Sequence, residues 1–140
     1  MKAIKIITHP LSLIISFLLI LISGEHLGAF YLLYILLALP HGGIHSLLAV
    51  AGIAIILFCN YKYKMDFKYL IEPLLNILGA TLLILSISLF FYNDKDHYNY
   101  STFYQILPMI SLVVFALLIT GFLIKNILKL RLTSKHLLIF

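Results

Sequence analysis

Residues 26–61, HLGAFYLLYILLALPHGGIHSLLAVAGIAIILFCNY, are 36 residues without a single Asp, Glu, Lys or Arg. One helix of that length would be about 54 Å long at about 1.5 Å per residue, which exceeds a hydrocarbon core of about 30 Å. The segment PHGG at 40–43 interrupts the stretch, because proline removes a backbone donor and paired glycines destabilise a helix. The sequence therefore predicts a short piece, residues 26–39, followed by a membrane-spanning helix, residues 44–60.

The composition of the whole chain is that of a membrane protein. Of its 140 residues, 63% are hydrophobic and 11% are charged, and the mean hydropathy is +1.11. Soluble domains are about 25% charged, so too few charged side chains are present to cover a water-soluble globule. This excludes a soluble enzyme, a disordered tail and a nucleic-acid-binding module, and it predicts an integral membrane protein in contact with the lipid bilayer. The net charge of +5 then indicates membrane orientation rather than nucleic-acid binding.

Three further stretches without those four residue types are each long enough for one crossing. Lipid offers the backbone no hydrogen-bond partners, so each crossing is expected to be a helix. We predict an all-α integral membrane protein, with a single domain over residues 1–140 and four transmembrane helices. The predicted crossings are residues 7–23, 44–60, 69–92 and 103–124.

The positively charged residues predict the orientation. With residues 26–39 outside the crossings, nine of the ten cations fall on one side and Lys95 lies opposite, whereas a crossing at 26–39 gives at best seven to three. The positive-inside rule favours the first arrangement, with cytoplasmic N- and C-termini in a bacterial inner membrane or its equivalent. Residues 26–39 then form an interfacial or re-entrant segment on the outer side. The basic amphipathic tail, residues 125–140, either extends the fourth helix or lies along the inner leaflet. The nine cations are Lys2, Lys5, Lys62, Lys64, Lys68, Lys125, Lys129, Arg131 and Lys135.

Polar residues on the predicted outer side form a candidate metal site. Glu25 and His26 follow the first crossing, and His41 and His45 open the second. His41 and His45 are four residues apart, which places them on one face of a helix. Imidazoles at that spacing bind Zn or non-haem Fe(II), and a carboxylate such as Glu25 completes such a ligand set. The alternatives are hydrogen-bonding residues at the interface, or the lining of a proton path or ligand pocket.

Residues 39–48, LPHGGIHSLL, contain a Pro-His-Gly turn that opens an apolar helix. This pattern resembles a motif of the Brp/Blh-type carotene dioxygenases, multi-helical membrane enzymes that use His-ligated non-haem iron to cleave β-carotene to retinal. The resemblance implies that His41 is an iron ligand. Four residues after that histidine the family carries an acid, where this chain has His45, and the match covers ten of the 140 residues.

Small and polar residues recur at helical spacing within the crossings and predict close helix packing. Ser12 and Ser16 are one turn apart in the first crossing, and the centres of the crossings hold no acid or base. Glu72 stands at the start of the third crossing, where the helix dipole favours an acid. The third and fourth crossings carry Asn76, Gly79, Ala80, Ser86, Ser111, Thr120 and Gly121.

Three functional hypotheses follow from these patterns. The leading one is a small non-catalytic polytopic subunit of a larger inner-membrane complex, which packs against other membrane subunits or against itself. The first alternative is a metal-dependent membrane oxygenase or metal-binding protein that holds Fe or Zn through His41, His45, His26 and Glu25. The second is a homo-oligomeric channel or small-solute carrier.

Overall fold

A computed structural model describes residues 8–24, 28–61, 71–94 and 96–137. Within these ranges the chain is helical apart from one short pair of strands and the connecting turns. In chain order the elements are α1 (Pro10–Leu18), β1 (Leu21–Ser23), β2 (Gly28–Phe30), α2 (Tyr31–Ala38), a 3₁₀ turn (Leu39–His41), α3 (Ile44–Tyr61), α4 (Ile71–Tyr92), a second 3₁₀ turn (Tyr100–Phe103) and α5 (Ile106–Leu137).

Among the described residues, three helices are long and apolar enough to cross a membrane, which confirms the prediction of an all-α fold with helices of membrane length. They are Ile44–Tyr61, Ile71–Tyr92 and the Ile106–Leu132 part of α5. The bounds of the second and third predicted crossings agree within two residues. The last helix starts later than predicted and continues to Leu137, so the tail extends this helix.

The first predicted crossing, residues 7–23, is not one helix. After α1, which has nine residues, the chain becomes extended, and β1 pairs antiparallel with β2. The β-branched Ile20 and Ile22 favour extended backbone, and their side chains are 0% and 1% exposed. A nine-residue helix is too short to span a bilayer alone. Of the four predicted transmembrane helices, the described residues therefore form three of sufficient length, and a helix–strand segment stands in place of the first.

Hydroxyl groups from the last part of the chain complete the open edge of β1. Ser111 Oγ accepts from the Leu21 amide at 2.9 Å, and Thr102 Oγ1 accepts from the Ser23 amide at 2.9 Å. Ser101 Oγ donates to the Ser23 carbonyl oxygen. The backbone groups of successive strand residues point to opposite sides, so those of Leu21 and Ser23 face away from β2. A third strand would form its hydrogen bonds with these groups. The side-chain hydroxyls thus supply hydrogen-bond partners to the backbone groups at this edge of β1, which lipid could not do.

We expect Thr102→Val to lower the thermal unfolding midpoint, because valine keeps the shape but leaves the buried Ser23 amide without its acceptor. Thr102 is 0% exposed, and an unsatisfied buried donor costs about 1–3 kcal/mol. Cys59 is 4% exposed, so a thiol-reactive dye reports unfolding. The matched control is Thr81→Val, since the exposed Thr81 donates only to Ile77 of its own helix. Equal midpoints for the two variants would contradict this role of Thr102.

The predicted break at 40–43 is confirmed. The 3₁₀ turn Leu39–His41 ends at Gly42, which has φ +67° in the left-handed region. A Cβ at Gly43 would lie 2.9 Å from the Ala38 Cβ, so this position also requires glycine. The turn separates α2, which has eight residues and cannot span, from α3. The re-entrant placement of residues 26–39 stays a prediction, and its first two residues lie outside the described part of the chain.

Helices α3 and α4 pack closely at a pair of glycines. A Cβ on Gly79 would lie 2.7 Å from Ile56 Cγ1 and 3.0 Å from the Gly52 carbonyl oxygen. A Cβ on Gly52 would lie 2.8 Å from the Gly79 carbonyl oxygen. The predicted small-residue face of α4 is buried, with Asn76, Gly79, Ala80 and Ser86 all on it. The predicted packing role of that face is confirmed.

The described elements define two ends of the bundle. At the Lys129 end, Lys129 pairs with Glu72 at the start of α4, and Lys125 Nζ donates to the Thr8 carbonyl oxygen at 3.3 Å. At the His45 end lie the start of α3, the end of α4 and the strand pair. Residues 62–70 lie outside the described part, but the two helix ends that they join, Tyr61 and Ile71, are both at the Lys129 end.

Candidate functional site

A cluster of aromatic and polar side chains lies at the His45 end, where α2 folds back against α3 and α4. Tyr31 is its centre and is 0% exposed. Its ring packs edge-on against Phe17 at 5.3 Å and against Phe90 at 5.2 Å between ring centroids. The break at Gly42 makes this possible, because it lets the short α2 return along the bundle.

A hydrogen-bonded chain joins the three helices in this cluster. Ser86 Oγ donates to the His45 carbonyl oxygen at 2.7 Å, so the Tyr31 hydroxyl, 2.9 Å from Ser86 Oγ, is the donor in the second bond. Burial raises the pKa of Tyr31 to about 12, an effect that the Ser86 hydrogen bond opposes. Tyr31 is thus a neutral hydrogen-bond donor throughout the physiological pH range.

The imidazole of His45 faces this aromatic cluster. Its ring centroid is 5.4 Å from that of Phe90 and 6.4 Å from that of Tyr31. The Nε2 atom is buried, and no hydrogen-bond partner reaches it among the described residues. A buried polar atom without a partner costs about 1–3 kcal/mol, so this nitrogen is the most distinctive chemical feature of the cluster.

Tyr34 and Asp94 form the rim of the cluster. Tyr34 packs edge-on against Phe90 at 5.2 Å. Partial burial, and secondly the negative charge of Asp94, raise the pKa of Tyr34. Asp94 Oδ2 in turn accepts from the Asn99 amide at 2.7 Å. The rim therefore carries one carboxylate, fixed by the loop that follows α4.

The structure places the predicted metal residues in different surroundings. His41 is exposed in the 3₁₀ turn, with Nδ1 2.9 Å from the Leu37 carbonyl oxygen, whereas His45 faces the aromatic cluster. The prediction from their spacing assumed that both histidines lie on one continuous helix. Instead, Gly42 lies between them in the left-handed conformation. Glu25 and His26 lie outside the described residues. Over the described ranges, no group of three or more His, Cys, Asp or Glu could hold a metal ion.

A second polar cluster, at the Lys129 end, was not predicted as a unit. Asn60 Nδ2 donates to Asn76 Oδ1 at 2.9 Å, and Asn76 Nδ2 donates to Asn126 Oδ1 at 3.2 Å. These three asparagines, one from each spanning helix, form what we call the Asn ladder. Beside it Lys129 Nζ contacts Glu72 Oε2 at 2.8 Å, so Glu72 is an interhelical ion-pair partner as well as a first-turn acid. Asn76 lay on the predicted packing face, whereas Asn60 and Asn126 gave no periodic signal.

Two grooves on the outside of the bundle are lined by described residues. The larger, about 810 Å³, lies between the strand pair and the start of α5 and includes Ile22, Tyr104 and Leu107 in its lining. The smaller, about 440 Å³, follows α1 and α5 and is lined by Ser12, Ile15, Ser16, Leu19, Ser111 and Val114. We call it the serine groove, because it contains both serines of the small-residue pattern predicted for the first crossing.

No family model, curated protein or solved structure matches the chain. The local resemblance of residues 39–48 to the carotene dioxygenase motif, and the iron-ligand role that it implies for His41, stay predictions.

Proposed function

We propose that the protein is a small polytopic subunit of a larger inner-membrane complex and that it binds its partner through the serine groove. The polar side chains of the described interior already join elements of the chain itself, as the Asn ladder and the Tyr31–Ser86–His45 chain do. The serine groove differs, because Ser12 and Ser16 of α1 line an outward face. Small residues let a neighbouring helix approach closely, and such packing drives helix association in lipid. This groove, which no described part of the chain covers, is the observation that carries the proposal.

The proposal includes four crossings, with both termini on the cytoplasmic side. The first crossing combines α1 and its C-cap Leu19 with the extended residues 20–23. The ten residues from Pro10 to Leu19 cover about 15 Å and the four extended ones about 13 Å, which together approach a hydrocarbon core of about 30 Å. Two sets of contacts support this span, since Thr8 meets Lys125 near one end of the bundle and Ser23 meets Thr102 at the other.

The test of association places a larger side chain in the serine groove. We expect Ser16→Leu to shift the chain, extracted from its native membrane in mild detergent, from a large complex to a monomer. The thermal unfolding midpoint should stay unchanged, because Ser16 Oγ bonds only to Leu13 of its own helix. Thr120→Leu is the matched control, since the exposed Thr120 donates only to Ala116 of α5, and this variant should keep the complex. A wild-type chain that is monomeric on extraction, or a Ser16→Leu variant that keeps its complex, would contradict the proposal.

A second candidate is metal binding at the His45 cluster. The observation that favours it is the buried Nε2 of His45, which has no partner among the described residues. His41, His26 and Glu25 are the further ligands that the sequence predicts, with Fe or Zn as the metal. Metal analysis of the purified chain separates this candidate from the first. A metal bound by the wild type and lost in His45→Phe would support it, and a metal-free wild type purified without chelators would contradict it.

A further inference from the structure

The larger groove has one wall of extended backbone and one wall at the start of α5, and we call it the strand groove. Residues 21–23 and 28–29 of the strand pair form the first wall, and residues 104–108 form the second. In β2 the lining consists of Gly28 and Ala29, whose small size leaves the space between the walls open, at about 810 Å³. A Cβ added to Gly28 would meet nothing nearer than 3.5 Å. None of the described residues that line this groove carries a charge.

Hydrogen bonds place the strand groove at one end of the apolar part of α5. Leu21 of β1 bonds to Ser111, and Ser23 of β1 bonds to Thr102. Residue 106, where the apolar helix of membrane-spanning length begins, lies between these two contacts in the chain. The groove therefore extends from the polar loop before α5 into the apolar part of the bundle.

Exposed tyrosines mark this end of the bundle as the level of the membrane surface. Tyr92, the last residue of α4, and Tyr104, two residues before the apolar part of α5, are 81% and 85% exposed. Tyrosine is enriched where a membrane meets water, because its ring is apolar and its hydroxyl is polar. Gln105, also exposed, adds an amide group next to Tyr104. The groove thus has uncharged hydrogen-bond donors at its polar end and Leu107 in its apolar part.

We propose that the strand groove binds a membrane phospholipid. The ester carbonyls of the glycerol accept hydrogen bonds from Tyr104 and Gln105, and the first part of an acyl chain lies between Ala29 and Leu107. These esters join the polar headgroup to the hydrocarbon, so they lie at the boundary that the groove crosses. A transmembrane helix bonds its backbone carbonyls within itself and offers these donors no such acceptors. The serine groove shares no lining residue with the strand groove, so this inference does not rest on the proposed function.

The test titrates the purified full-length chain, in neutral detergent, with dioleoyl phosphatidylcholine and with its ether-linked analogue, which lacks the ester carbonyls. Native mass spectrometry measures the bound lipid. We expect the ester lipid to bind about fivefold more tightly, the contribution of one hydrogen bond. Phosphatidylglycerol of the same acyl chains should bind like phosphatidylcholine, because the described lining is uncharged. In the double variant Y104F/Q105L, which changes only exposed side chains, the ester and ether lipids should bind equally.

A second variant fills the strand groove. Ala29→Phe should abolish binding of both lipids, whereas Ala116→Phe, at an exposed position of α5 outside the lining of the groove, should bind like the wild type. Reactivity of the buried Cys59 thiol checks that each variant is folded, and the double variant alone decides if Ala29→Phe is not.

Equal binding of the ester and ether lipids by the wild type would overturn the proposal, and so would a folded Ala29→Phe chain that binds them normally. The native complex should keep its size in Ala29→Phe. Its loss on extraction in mild detergent would also overturn the proposal, because a partner helix and not a lipid would then occupy the groove.

Discussion

Gly79→Leu should prevent the chain from folding, and Gly79→Ala should lower its thermal unfolding midpoint. The reason is the close approach of α3 and α4, where any Cβ on Gly79 would lie 2.7 Å from Ile56 Cγ1 and 3.0 Å from backbone oxygen of Gly52. Overpacking of this kind costs about 1–3 kcal/mol for small additions. Backbone cannot move aside as the end of a flexible side chain does, so the larger leucine forces the helices apart.

The experiment compares the unfolding midpoints of the purified variants through Cys59 reactivity. Alanine stabilises a helix by about 0.5–1 kcal/mol over glycine, so a lower midpoint in Gly79→Ala isolates the steric cost. Gly28→Ala is the matched control, because its Cβ would meet nothing nearer than the Ile22 carbonyl oxygen at 3.5 Å, an ordinary contact. A Gly79→Ala chain as stable as the wild type would show that α3 and α4 do not cross at this pair of glycines.

Asn76→Leu should have the second-largest effect, because it removes the middle residue of the Asn ladder. Asn76 is 2% exposed and bonds to both Asn60 and Asn126. Interhelical hydrogen bonds in membranes are worth about 0.6 kcal/mol on average and up to about 1.7 kcal/mol. The loss of two such bonds predicts a destabilisation of about 1–3 kcal/mol, measured as a lower unfolding midpoint.

A double-mutant cycle isolates the bond between Asn76 and Asn126. Asn126→Leu should also destabilise the chain, since Asn126 Nδ2 further donates to the Phe122 carbonyl oxygen at 2.8 Å. Because the two residues share a bond, the double variant should lose less stability than the sum of the single losses. Strict additivity would mean that the ladder does not couple α4 to α5.

Composition and helical spacing were sufficient to predict the three long helices, the break at 40–43 and the buried face of α4. These features follow from properties local to each segment, namely apolar length, a helix breaker and small residues at intervals of three and four. Residues 7–23 were predicted as a spanning helix from their apolar length alone. That length does not indicate the strand. The hydroxyls of Ser101, Thr102 and Ser111 stabilise that strand, and they lie about 80–90 residues away in sequence.

The candidate site could be predicted only in part. His45 was predicted as a site residue from its chemistry, whereas its aromatic neighbours Tyr31 and Phe90 come from separate helices. The expected partnership of His41 with His45 assumed a continuous helix, whereas a left-handed Gly42 lies between them, and their shared metal site stays a prediction. The Asn ladder forms because one asparagine on each of three helices lies at the same depth in the bundle. The sequence pattern of one helix does not predict how its residues align with those of the other two.

We propose that α1 and β1 together cross the membrane, so that the chain crosses four times. The most direct test places single cysteines at His9, Asp96 and His136 in a Cys59→Ser background and labels right-side-out membrane vesicles with an impermeant maleimide. We predict that Asp96→Cys is labelled in intact vesicles, and that His9→Cys and His136→Cys are labelled only after permeabilisation. Labelling of His9→Cys together with Asp96→Cys in intact vesicles, with His136→Cys protected, would contradict the account, because residues 8–23 would then not cross the membrane.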